Sequence, residues 1–163
     1  SPVGLYHQVK DLEVAHNTFV NNHQNVLVGY YRGIDGAVLP PVRTVIANNI
    51  IWGKSAPLIQ LDEKEAEIKY EGNIFFGAKT GLPTSEGVRF IDPALRKDKM
   101  GLYRLRIDSV ARAKAKGSYP KITRDMDGQK RPRKKDIGAD QYSSEPIALK
   151  PLTTNEVGPA WKR

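Results

Sequence analysis

The chain has no cysteine and only two methionines in 163 residues. Disulfides, thiolate metal sites and cysteine nucleophiles are therefore excluded, and the redox compartment stays open. Long apolar runs are also missing, and no window approaches the roughly eighteen consecutive apolar residues of a membrane-spanning helix. Ser1-Pro2-Val3-Gly4 carries neither a basic nor an apolar leader pattern, so an export signal, where one is needed, is expected outside this chain. What is present suffices for a packed domain, since 39% of the residues are hydrophobic.

Charge is lopsided. Twenty-six Lys and Arg against 18 Asp and Glu give a net charge of +8, a field that draws polyanions, whether nucleic acid or acidic polysaccharide. Residues 96–135 are densely basic, whereas Asp62-Glu63-Lys64-Glu65-Ala66-Glu67 is an acidic run that reads as a solvated loop edge.

Three segments align on one asparagine: Val14-Ala15-His16-Asn17-Thr18-Phe19, Ile46-Ala47-Asn48-Asn49-Ile50-Ile51 and Tyr70-Glu71-Gly72-Asn73-Ile74-Phe75. Each has a β-branched or aromatic residue three before the Asn and an apolar residue two after it, the pattern of strand, tight turn, strand. Asn accepts a left-handed backbone, and its amide substitutes for a missing backbone partner. Stacked asparagines would then bond from rung to rung, as in a parallel β-solenoid. Helical repeats fit badly, because Thr, Val, Ile and Asn are poor helix formers. A β-sandwich with recurring short Asn motifs is the competing fold. His16 occupies the turn position held elsewhere by Asn48 and Gly72, and so reads as a turn filler. His7, His16 and His23 are not spaced as metal ligands.

After residue 90 the pattern loosens. Phe90 to Leu95 and Gly101 to Leu105 suggest short strands, and Asp108 or Ser109 caps an expected brief helix over 110–116 that Gly117 ends. A turn at Met126-Asp127-Gly128-Gln129, the basic Lys130-Arg131-Pro132-Arg133-Lys134-Lys135, an edge-like Asp136-Ile137-Gly138-Ala139-Asp140 and a Pro-rich wrapping tail follow. One domain is expected, with coils over 1–90 and terminal coils plus tail over 91–163. Three rungs are near the minimum for a solenoid, so the first should be covered by an amino-terminal β-helix segment or a separate chain.

Ser1-Pro2 through Tyr6-His7-Gln8-Val9-Lys10, then His16-Asn17-Thr18-Phe19-Val20-Asn21, Pro40-Pro41, Ile46-Ala47-Asn48-Asn49-Ile50-Ile51, Gly72-Asn73, Asp127-Gly128-Gln129 and Asp136-Ile137-Gly138-Ala139-Asp140-Gln141 resemble polysaccharide lyase family 6. That family includes alginate lyases and chondroitinase B. The resemblance implies an all-β, right-handed parallel β-helix of a periplasmic or extracellular bacterial enzyme that cleaves an anionic uronate polysaccharide by β-elimination. In the family a calcium ion neutralises the substrate carboxylate, a lysine removes the C5 proton and an arginine assists departure of the C4 oxygen. Those catalytic coils lie upstream of the matching region, so no catalytic residue and no metal ligand is expected in this chain, and any Ca2+ would be bound by the upstream segment. Alginate is favoured by the Gln-Val-Lys and Asn-Thr-Phe-Val-Asn phrases.

Substrate contacts are expected at Tyr6, Gln8, Lys10, Tyr30 and Arg32. Alternation puts Tyr6, Gln8 and Lys10 on one strand face, with Leu5 and Val9 facing the core. Tyrosine stacks on sugar rings, and arginine grips carboxylates with two parallel bonds. Lys10 and Arg32, 22 residues apart, are also weighed as a base and acid pair. A noncatalytic polyanion- or carbohydrate-binding module, in which Lys130 to Lys135 dominates affinity, is the alternative. Nucleic acid is disfavoured, because the basic run lacks interleaved aromatics and no recognition module is present.

Overall fold

The computed structural model describes residues 3–5, 9–29, 31–32, 38–61, 67–82, 86–153 and 156–157, which are all-β and contain no helix. Three parallel sheets dominate. The first holds β1 (Val3–Leu5), β4 (Val26–Val28) and β9 (Ile59–Leu61); the second holds β2 (Glu13–Ala15), β7 (Thr44–Ala47) and β10 (Ile68–Glu71). The third stacks β3 (Thr18–Val20), β8 (Ile50–Gly53), β11 (Asn73–Gly77) and β12 (Val88–Phe90). The chain visits the three sheets in the same order in each of three circuits.

The register ties these circuits to the sequence repeat. Val14 stands opposite Ile46 and Ile46 opposite Tyr70, while Phe19, Ile51 and Phe75 align in the third sheet. Both sets keep the 32- and 24-residue spacings of the asparagine motifs. The first sheet differs, with Val3 opposite Val26 and Val26 opposite Ile59. The surplus of the second circuit therefore lies between β4 and β7, where β5 (Tyr31–Arg32) and β6 (Val38–Leu39) pair antiparallel.

Between the second and third sheets each circuit turns through one left-handed residue, at His16 (φ 56°), Asn48 (φ 52°) and Gly72 (φ 65°). The left-handed residue precedes the aligned asparagine, rather than being the asparagine itself. Gly72 has no alternative, because a Cβ there would lie 2.5 Å from Asn48 Oδ1. With the bend made by its neighbour, each asparagine side chain turns into the corner. Asn49 Oδ1 accepts from Asn17 N (2.9 Å) and Nδ2 (3.1 Å), and Asn73 Oδ1 accepts from Asn49 N (3.0 Å) and Nδ2 (3.1 Å). Asn49 Nδ2 also donates to Val14 O, and Asn73 Nδ2 to Ile46 O. The rung-to-rung amide ladder expected from the sequence is thus present, and it satisfies backbone groups that the corner removes from the strands.

Two apolar clusters flank the third sheet. Val26, Val28, Ile46, Ile51, Leu58, Ile59 and Phe75 pack together, joined by half-buried Val9, Val14 and Phe19. Ile50 and Ile74, the alternate residues of the same strands, pack instead with Leu105, Ala111 and Ile137 from the later part of the chain. Ile50 and Ile51 are both fully buried, as a sheet covered on both faces requires.

That cover is irregular. β13 (Leu95–Lys97) and β14 (Tyr103–Leu105) form a hairpin. The helix expected over 110–116 is absent, and its place is taken by a turn that left-handed Ala113 (φ 53°) interrupts. Its amides bond outward, Ala113 N to Asp136 Oδ1, Ala115 N to Lys135 O and Lys116 N to Asn48 Oδ1, leaving no i→i−4 ladder. Residues 136–140 likewise form no strand. Gly138 N donates to Asn48 O and Ala139 N to Thr18 Oγ1, so this segment docks crosswise on the third sheet. Gly138 (φ 96°) meets that sheet so closely that a Cβ would stand 2.8 Å from both Ile50 Cδ1 and Thr18 Oγ1.

Candidate functional site

Val9 and Lys10 follow the expected alternation. Val9 is half-buried against the inner cluster and Lys10 is exposed, with its backbone bridged in parallel to Val42. The next position forms a second stacked corner, where left-handed Asp11 (φ 55°) and Arg43 (φ 48°) lie one above the other. Arg43 grips Asp11 with two bonds, Nε to Oδ1 at 2.6 Å and Nη2 to Oδ2 at 2.8 Å. That hydrogen-bonded pairing holds the Asp11 carboxyl below its usual range. Glu67 Oε2 accepts Arg43 N from the third circuit. Lys10 therefore projects beside a row of self-neutralised charges, as an available cation on that edge.

Arg32 lies in the β5–β6 hairpin with its backbone paired to Val38, so the residue facing Lys10 across the ladder is Val42. Tyr6, Gln8 and Tyr30 lie outside the described residues, as do Asp62 to Ala66 of the acidic run.

A tight polar knot, not foreseen in the sequence, forms beneath the turn at 125–129. Asp125, Asp127 and Asp140 are buried, with one carboxylate oxygen from each within 4.8 Å of the other two. The arrangement does not suit calcium. Arg104 Nη1 already bonds Asp127 and Asp140, its Nε bonds Asp98 at 2.9 Å, and Asp125 is capped by the amides of Asp127, Gln129 and Gln141. A guanidinium fills the role a metal would have, and the knot fastens the terminal segment. Burial raises the Asp140 carboxyl, partly offset by Leu105 N and Arg104. The Asp-Gly-Gln and Asp-Ile-Gly-Ala-Asp phrases contribute four of these polar groups, so the sequence held the parts and only the fold shows their meeting.

The basic run divides in two. Arg131 is buried and donates to four carbonyls, Arg124 O, Asp136 O, Gly138 O and Ala139 O. Lys135 is half-buried, with Nζ 2.5 Å from Tyr119 O. Lys130, Arg133 and Lys134 face solvent, so two of the five cations of this apparent polyanion patch are internal scaffolding.

His16 fills its left-handed turn as expected, but it is also nearly inaccessible, at 5% exposure. Its Nδ1 lies 3.0 Å from Asp136 O and its ring meets Tyr119 edge-on at 6.0 Å. Tyr119 in turn donates its hydroxyl to Glu71 at 2.7 Å. Burial, then the nearby Arg131 and Lys135 charges, push the imidazole pKa down to about 4, so it is neutral at ordinary pH.

The succession of parallel strands through three sheets is the arrangement of a parallel β-helix. Solved structures of the alginate lyase AlyGC, of polysaccharide lyase family 6, share it. One matches 95% of this chain with a TM-score of 0.56 and 16% identity; a single-substitution variant of the same enzyme matches 95% with a TM-score of 0.58 and 17% identity. The chain spans 17% of the length of those lyases, and at this identity the likeness shows the fold alone. No protein-family model and no curated protein matches the sequence.

Proposed function

We propose that the chain is a carboxy-terminal portion of a right-handed parallel β-helix lyase that degrades an anionic uronate polysaccharide, with alginate favoured, by β-elimination. The carrying observation is the asparagine ladder in strict register with three stacked circuits, together with a fold shared with the alginate lyase AlyGC over 95% of this chain. On this reading the catalytic Lys and Arg, and any calcium, belong to preceding coils in an upstream segment or partner chain. The buried Asp125, Asp127 and Asp140 cluster is already engaged by Arg104 and by backbone amides. This chain then supplies contacts from its leading edge. Exposed Lys10 offers a cation to a sugar carboxylate, Arg32 stands in the adjoining hairpin, and Tyr6, Gln8 and Tyr30 complete the proposed surface. The net charge of +8 attracts the polymer as a whole.

The test is to join the chain to preceding β-helix coils carrying a Lys and Arg pair, and to follow the ultraviolet absorbance of the unsaturated uronate product on polyuronate. Product is expected from the assembled protein and not from this chain alone. Lys10→Ala is expected to raise KM by about tenfold, the effect of one charge-assisted contact. Product from the isolated chain would refute the upstream assignment, and failure of the assembly on every polyuronate would refute the lyase reading.

The solvent-facing Lys130, Arg133 and Lys134 favour one alternative, a noncatalytic polyanion-binding β-solenoid. Under it, replacing these three abolishes polyuronate binding, whereas under the lyase reading turnover persists.

A further inference from the structure

Tyr119, the segment 115–118 and the cations Arg133 and Lys135 enclose a cavity of about 120 Å³ against His16. We propose that this cavity is a second carbohydrate subsite, one that takes the non-reducing terminal residue of a uronate chain through its carboxylate and the hydroxyl on the adjacent carbon. The proposal rests on the uronate reading above and adds to it a site for chain ends.

The chemistry follows from one unpartnered atom. A carbonyl only accepts, so the contact with Asp136 O requires the proton on Nδ1 and leaves Nε2 as a lone pair. That Nε2 is buried and has no hydrogen-bond partner. Unmatched acceptors of this kind are rare in native interiors and call for a donor. The neutral ring remains an acceptor across ordinary pH.

The charged residues of the lining, Lys116, Arg133 and Lys135, are all cations. Lys135 uses one of its three N–H groups on Tyr119 O, while Lys116 and Arg133 are exposed and have no side-chain partner among the described residues. Glu71 contributes negative charge nearby, but it is already engaged by the Tyr119 hydroxyl and by Lys69 at 3.1 Å. Glu13 is the remaining acidic neighbour felt by Lys135 and Tyr119. A bare anion would meet the cations and be repelled by the imidazole lone pair. A neutral sugar would satisfy the lone pair and leave the cations unused.

A carboxylate with an O–H on the next carbon meets both demands. In a uronate chain the carboxyl-bearing C5 adjoins C4, whose oxygen is a free hydroxyl only at the non-reducing end. After β-elimination the new end has a C4–C5 double bond and no such hydroxyl. The cavity is too small for a whole sugar ring, and admits that edge of the residue. It should therefore distinguish saturated chain ends from the unsaturated ends the reaction makes.

The experiment is a titration of the full chain, with 15N-labelled histidine, followed by NMR. His16 Nε2 is assigned through His16→Asn, which retains a residue suited to the left-handed turn, as Asn48 does one circuit later. The probes are a saturated tri-uronate, its unsaturated counterpart, a neutral trisaccharide and inorganic phosphate. The saturated tri-uronate is expected to move the Nε2 resonance and to bind about tenfold tighter than the unsaturated one, with Arg133→Ala erasing most of that affinity. Equal affinity for the two trimers, phosphate binding as tightly as the saturated trimer, or an Nε2 resonance unmoved at saturation, as water alone would leave it, overturns the subsite. If the assembled enzyme still cleaves polyuronate in that event, only this inference falls. If no uronate binds or is cleaved anywhere, the functional reading falls with it.

Discussion

Replacing Asn49 by Ala would break four side-chain hydrogen bonds, against three for Asn73 and two for Asn17. The Asn49 carboxamide receives Asn17 N and Nδ2, and donates to Val14 O and Asn73 Oδ1, all from a fully buried position. A loss of about 3 kcal/mol in urea unfolding is expected, against about 1 kcal/mol for Asn17→Ala, whose side chain is exposed and only donates. Equal effects would deny the ladder its structural role. His16 makes a separate prediction, in pH. Its folded pKa, about 4, is below the usual imidazole value of 6.5, because burial and the Arg131 and Lys135 charges oppose protonation. Below pH 6.5 the unfolded chain binds a proton there that the folded chain refuses. The contribution is therefore fully present above pH 6.5 and declines toward pH 4, by on the order of 3 kcal/mol. His16→Asn should flatten the stability curve in that window, and a wild-type slope in the variant would show that other groups carry it.

The asparagine-centred strands were legible in the sequence because a corner of a stacked coil needs one left-handed residue and one amide, and few residue types provide them. The unbroken apolarity of Ile50-Ile51 and Ile74-Phe75 fits strands covered on both faces, where Thr18-Phe19 keeps a hydroxyl for Ala139 N, but that cover emerged only from the structure. What covers the third sheet was not legible. The Ala-Lys alternation at 111–116 favours a helix locally, yet tertiary bonds to Asn48, Lys135 and Asp136 outweigh that weak preference. Arg131 looked like one cation in a solvated run, and only docking of 136–140 shows its carbonyl partners. The docking itself depends on Gly138. Gly138→Ala adds a Cβ against Ile50 and Thr18 at a left-handed backbone, so a loss of about 2 to 4 kcal/mol and earlier proteolysis after residue 130 are expected. Unchanged melting and proteolysis would mean that the segment does not rest on the sheet.

At the scale of the molecule, the ladder runs in one direction and, among the described residues, is open at one end. Asn73 and Asn49 each accept two bonds through Oδ1 from the preceding circuit, whereas Asn17 only donates, and its Oδ1 has no partner among the described residues. β1, β2 and β3 each pair with the following circuit and stand at the margins of their sheets. Exposed parallel edges of this kind are templates for another strand. A further coil carrying its own asparagine would complete the pattern without altering any bond now made. When preceding β-helix coils are joined to the chain, the amides of residues 13–20 are accordingly expected to slow in hydrogen exchange and the melting temperature to rise. Asn17→Ala should weaken both effects, since it removes the acceptor while costing the isolated chain little. If the amides of β2 and β3 exchange equally fast with and without those coils, the open edge is not a seam between rungs, and a uronate-binding surface spanning it has no physical basis.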